Sequence, residues 1–129
     1  FVAVGDNGTL NISSTDGLTW ISKNSDTIKN LNSVYYKKDE GFMAVGDNLT
    51  IRFTGNIQDS TWQKKEAAYT ENTNNSWDFR SVTYANGIWV AVGGYGKIYT
   101  SSDGTTWTSR ASGLDPVNPP DLNAVTHNL

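Results

Sequence analysis

Three segments of the 129-residue chain match almost letter for letter: FVAVGDN at 1–7, FMAVGDN at 42–48 and WVAVGGY at 89–95. They begin 41 and then 47 residues apart. Tryptophans keep step with them at Trp20, Trp62 and Trp107, and so does a third set, LNSVYY (31–36), FRSVTY (79–84) and LNAVTH (122–127). A unit repeated every ~40–50 residues is one supersecondary block that buries its apolar face only against its neighbours. The repeats therefore constrain the fold more than any single motif does.

Each repeat reads as four strands. LNSVYY is a first strand; a turn such as KKDEG or ANG leads to FMAV, apolar throughout and suited to a strand buried on both faces. GDN or GGY then makes a hairpin turn into a third strand, GTLNISS, LTIRFT or GKIYTS, and the fourth begins at the tryptophan as WISK, WQKK or WTSR. Each fourth strand carries a cation three residues past the tryptophan, which on an outermost strand discourages edge-to-edge pairing. Four strands per repeat predict an all-β chain, a β-propeller of four-stranded antiparallel blades. Strands two to four of a first blade fall over about 1–24, a second blade over about 30–66, a third over about 77–111, and the first strand of a further blade over about 121–129.

Composition agrees with short strands joined by turns, being rich in Gly, Asn, Ser, Thr and aromatics. The length suits one domain. A net charge of −3 and scattered basic residues leave no electrostatic footprint for nucleic acid, so no nucleic-acid partner is expected. No apolar run approaches the ~20 residues of a membrane span, so no membrane insertion is expected either. Cysteine is absent, which excludes a disulfide framework and thiolate chemistry. The chain opens at Phe1 inside an apolar run and without a signal peptide, as expected of a mature product or a piece of something longer.

SSDGTTW (101–107) and STDGLTW (14–20) place an acid and a glycine between the third and fourth strands. Asp103 is suited to accept backbone N–H groups across the turn, Gly104 to supply positive φ and Trp107 to cover the hairpin base. A tight structural turn is expected, not a catalytic acid. Here the chain resembles the Asp-box (bacterial neuraminidase repeat) propellers, which include sialidases, glycan-binding propellers and a photosystem II assembly factor. The matching residues are Ser14, Asp16, Gly17 and Trp20 in the first repeat, and Ser101 or Ser102 with Asp103, Gly104 and Trp107 in the third. The middle repeat keeps Asp59 and Trp62 but has Ser60 in place of the glycine, so its turn is expected to be longer or differently shaped. The resemblance implies that the box is a fold element away from the binding face.

The resemblance does not carry sialidase chemistry with it. Such enzymes clamp a substrate carboxylate with three arginines and use a tyrosine nucleophile, a glutamate and an acid/base aspartate. Arg52, Arg80 and Arg110 fall at non-equivalent strand positions, and the arginine-isoleucine-proline pattern is absent. Tyr69 and Glu71 are neighbours in a loop whose composition suits solubility. His127 aligns with Tyr36 and Tyr84, so packing is its expected role; no metal ligand set, phosphate loop or cofactor is expected.

Three blades are fewer than the four to eight of a closed propeller. Further blades are expected from the same longer chain or from a second copy, with LNAVTH pairing with another copy's FVAV; the abrupt start favours the longer chain. The loops from second to third strands and from fourth to next first strands share one rim. There Trp77, Tyr69 and Tyr95 are candidates to stack on a sugar ring, and Asn74, Asn75, Asp47 and Asn48 to meet its hydroxyls. Pro116, Pro119 and Pro120 stiffen the last connection. The expected function is non-enzymatic binding of a glycan or protein by a secreted, cell-surface or virion protein. The alternative is an assembly scaffold that only holds partner proteins.

Overall fold

The computed structural model describes residues 1–13, 15–65, 67–69 and 77–128. Among the described residues the structure is all-β, with three sheets built of antiparallel strands and a short 3-10 turn after each second strand. The first sheet holds β1 (Val2–Val4), β2 (Leu10–Ile12) and β3 (Ile21–Ser22). The second runs in chain order through β4 (Leu31–Lys37), β5 (Gly41–Gly46), β6 (Thr50–Thr54) and β7 (Gln63–Lys64). In the third, β9 (Phe79–Ala85), β10 (Ile88–Gly93), β11 (Ile98–Ser101) and β12 (Thr106–Arg110) follow the same order, and β8 (Ala68–Tyr69) lies parallel to β12.

Apolar burial explains why the sheets stack. β5 and β10, whose sequences are apolar almost throughout, are the most buried strands, with Ala44, Val45 and Ala91 fully enclosed. Met43, Val45 and Ile51 of the second sheet pack with Phe79, Val82, Trp89, Ala91, Tyr99 and Trp107 of the third. A second cluster joins Leu10 of the first sheet to Leu31, Ala44 and Trp62 of the second. The core thus lies between consecutive sheets, as repeat architectures require.

The junctions between sheets repeat in detail. At the end where second strands turn into third strands, the N–H of Asn7 donates to Asn30 Oδ1 (2.9 Å), that of Asn48 to Asp78 Oδ1 (3.1 Å) and that of Tyr95 to Asp121 Oδ1 (2.9 Å). Leu31 N–H donates to Gly5 O and Leu122 N–H to Gly93 O. Ser33 Oγ accepts Val82 N–H, and Ser81 Oγ accepts Val125 N–H. Residues 121–128 thus lie against β9 as β9 lies against β4. They form no ladder strand, because among the described residues no second strand lies beside them.

At the opposite end, Lys23 Nζ donates to Gln58 O and Lys65 Nζ to Asp103 O, each reaching the turn of the following sheet. These two lysines were expected to guard a sheet edge; they latch neighbouring sheets instead. Arg110, the third such cation, bonds Thr100 Oγ1 of its own sheet. The segment after each fourth strand also covers the next outermost strand: Asn24 bridges Thr61, and Ala68 and Tyr69 pair with Thr106 and Trp107. Trp62 and Trp107 under this cover are 0% exposed, while Trp20, beside no such segment among the described residues, is 43% exposed.

The turns carrying the acid and tryptophan share one construction at three lengths. Ser13, Thr54 and Ser101 occupy equivalent ends of the third strands, and each hydroxyl meets its aspartate, Asp16, Asp59 or Asp103. Ser14, expected to close the first turn, lies outside the described residues; Ser13 receives the Gly17 N–H. Asp103 Oδ1 accepts the N–H groups of Thr105 (2.7 Å) and Thr106 (2.8 Å), and these bonds with that from Ser101 hold its pKa down to about 2. Asp16 is lowered by the same kind of bonds, from Leu18 and Thr19. Gly17 and Gly104 both sit at positive φ, and their carbonyls accept the indole N–H of Trp20 and Trp107. In the middle turn, without that glycine, the buried Trp62 Nε1 has no partner.

Candidate functional site

Each second strand ends in a glycine and a 3-10 turn whose central residue is left-handed: Asn7 (φ 54°), Asn48 (φ 53°) and Tyr95 (φ 56°). Asparagine tolerates that conformation, but tyrosine is uncommon there. Tyr95 is held by the bond from its N–H to Asp121, is 63% exposed, and has its ring centre 5.1 Å from that of Trp77 with the two rings perpendicular. Lys97 Nζ lies 4.6 Å from the centre of the Trp77 ring. Tyr95 lines two open recesses, and Trp77 lines one of them.

One recess, of about 770 Å³, is polar. Asp47, Asn48, Asp78, Arg80, Tyr95 and Asp121 line it, with Lys29 and the 118–120 segment closing its sides. Asn32 Nδ2 donates to Asp47 Oδ1 (2.9 Å), and Arg80 Nη2 pairs with Asp121 Oδ2 (2.7 Å) while its Nη1 reaches Asn123 Oδ1. Carboxylates and a guanidinium half-open to water offer acceptors and donors to a polyhydroxyl ligand. The second recess, of about 670 Å³, is more apolar, lined by Trp77, Tyr95, Lys97, Leu114, Pro116 and Val117.

Of the residues read from sequence as binding candidates, the structure brings Trp77, Tyr95, Asp47 and Asn48 to this one place. Asn74 and Asn75 lie outside the described residues. The backbone of Tyr69 pairs with Trp107 at the start of β12, on the outer edge of the third sheet. No family model matches the chain, and no curated protein matches it.

Sequence reasoning missed Asp78, Arg80 and Asp121. The signal was present: Asn30, Asp78 and Asp121 each stand just before one of the three first-strand segments, so a polar residue recurs at that place. Among the described residues no group of three or more histidine, cysteine or acidic side chains is arranged to hold a metal ion. The three arginines serve separate places, Arg52 bonding the carbonyls of Ser25, Ile51 and Asp26, Arg80 at the recess and Arg110 on the outer strand.

Proposed function

We propose that the chain is a propeller segment of the Asp-box type that recognises glycans, without catalysis, through the rim around Tyr95. The observation that carries this reading is the exposed Tyr95, packed against the half-buried Trp77 and set between a polar and a more apolar recess. A pyranose has an apolar face that stacks on such rings and hydroxyls at its edge that need donors and acceptors. A tyrosine in a left-handed turn costs more than the asparagine found at the same place in the other two repeats, and such strain gathers at functional sites. The repeating junctions and hydroxyl–aspartate turns support the propeller part of the reading. The location that goes with it is one where glycans are met, on a secreted, cell-surface or virion protein.

The test is retention of the chain on a broad panel of immobilised glycans, without added cation. Binding that is lost in Tyr95→Ala and Trp77→Ala, with the β-sheet circular dichroism unchanged, is the expected result. No retention by the folded wild-type chain on any glycan overturns the reading.

A further inference from the structure

The junctions between sheets use one bond with two kinds of acceptor. Asn30 Oδ1 takes the Asn7 N–H with a neutral amide, while Asp78 and Asp121 take those of Asn48 and Tyr95 with a carboxylate. Asparagine therefore serves the fold at this place, and the negative charge at 78 and 121 is surplus to it. At 121 the charge has a use, because Arg80 pairs with Asp121 Oδ2. Asp78 has no such cation among the described residues.

Asp47 repeats the case. Its Oδ1 accepts Asn32 Nδ2, a bond that an amide oxygen would take equally well, and its Oδ2 has no partner among the described residues. The Oδ2 of Asp78 is likewise without one. Both residues line the polar recess that Tyr95 lines, and both line a smaller recess of about 440 Å³ shared with Asn32, Arg80 and Asn123.

The donors nearby are largely engaged. Asn32 Nδ2 bonds Asp47 and the Phe79 carbonyl, and the Arg80 Nη atoms bond Asp121 and Asn123. The further cation lining the polar recess is Lys29, which is exposed. On the other side of Tyr95, Lys97 Nζ lies over the Trp77 ring and Arg110 Nε donates to Thr100 Oγ1. At neutral pH a carboxylate accepts hydrogen bonds and cannot donate them. A ligand group set against Asp47 and Asp78 must therefore donate, as a hydroxyl does; a carboxylate there would find no proton to share and would meet like charge.

We propose that the sugar taken by this rim is uncharged, and that Asp47 and Asp78 select it by accepting its hydroxyl protons and repelling acidic sugars. This rests on the glycan reading above. Stacking on Tyr95 is open to any pyranose, and the two carboxylates supply the choice among them.

The test compares immobilised hexopyranosides with the matching hexuronides, which carry a carboxylate in place of the C6 hydroxymethyl group. The wild-type chain is expected to hold the neutral sugar at least about tenfold more tightly, and the gap to narrow as salt is raised. In Asp47→Asn combined with Asp78→Asn, the amide oxygens keep the bonds from Asn32 and Asn48, as Asn30 does in the first junction. That variant is expected to fold, to bind the neutral sugar about three- to tenfold more weakly, and to show a gap of no more than about twofold. The salt series needs no variant and reads the same charges. Equal or tighter wild-type retention of the hexuronide overturns the selectivity, as does a gap that survives the double substitution or ignores salt. Retention that appears only with added calcium assigns the carboxylates to a cation and also overturns it. No retention of any sugar by the folded chain removes the glycan reading and the selectivity together, whereas retention with the opposite preference removes the selectivity alone.

Discussion

Ser101 and Asp103 stand two residues apart, and the Ser101 hydroxyl donates to Asp103 Oδ1 at 2.9 Å while accepting the Gly104 N–H at 2.8 Å. The same carboxylate oxygen gathers Thr105 and Thr106. Because these bonds depress the folded pKa to about 2 from an ordinary 3.8, the turn's contribution is complete above about pH 4 and is lost as pH falls through 2. The unfolding midpoint in denaturant should drop over that window, and the drop should shrink in Asp103→Asn. An equal drop in the variant would assign the acid sensitivity elsewhere.

Trp62 and Trp107 are equally buried, but only Trp107 has a partner for its indole N–H, at Gly104 O. Replacement by phenylalanine removes a satisfied bond at one site and an unsatisfied donor at the other. Trp62→Phe should therefore cost about 1–2 kcal/mol less than Trp107→Phe. Equilibrium urea unfolding of the two variants measures the difference, and equal losses would contradict it.

Gly46 and Gly5 invite opposite outcomes. Alanine at position 46 forces its Cβ onto the Asn30 carbonyl, which is fixed by its bond from Asp47 N–H, and should cost more than about 2 kcal/mol. Alanine at position 5, whose Cβ would meet only Thr9 Cβ at 3.7 Å, should leave the stability read by thermal unfolding within about 0.5 kcal/mol of the parent.

Arg52 is only 7% exposed and donates to three backbone carbonyls, two of them in the segment that leads from the first sheet to the second. Arg52→Ala leaves the buried Ser25 carbonyl without this donor and releases that of Asp26, and should cost about 2–4 kcal/mol. Arg52→Lys should recover little of it, because an ammonium cannot reproduce the guanidinium fork. Full recovery by lysine would mean that charge, not geometry, holds the segment.

Strand identity was legible in the sequence because the repeats superimpose: the second-strand motifs at 1–7, 42–48 and 89–95 lead into β1, β5 and β10, and the shortening of the first sheet follows from where its motif stands. What connects the sheets was not legible. Lys23 and Lys65 read as edge charges because nothing in a one-dimensional pattern shows that the next sheet's turn carbonyl is within reach. Ser13 was passed over for Ser14 because the first turn is one residue longer than the third, which a gapless alignment on Asp16 hides. Tyr95 and Trp77 were visible as loop aromatics, while Asp78 and Asp121 look like ordinary turn acids until their bonds to Asn48 and Tyr95 are seen.

The overlap of each trailing segment with the following sheet bears on how such chains can be cut and rejoined. Asn24 lies across Thr61, and Ala68 across Thr106, so a second or third sheet excised at its first strand would leave behind the strip that keeps its tryptophan dry. The block that could be transplanted between proteins intact therefore begins near Lys23, on the far side of the sheet before it, and a graft joined at Leu31 would arrive with its indole bare.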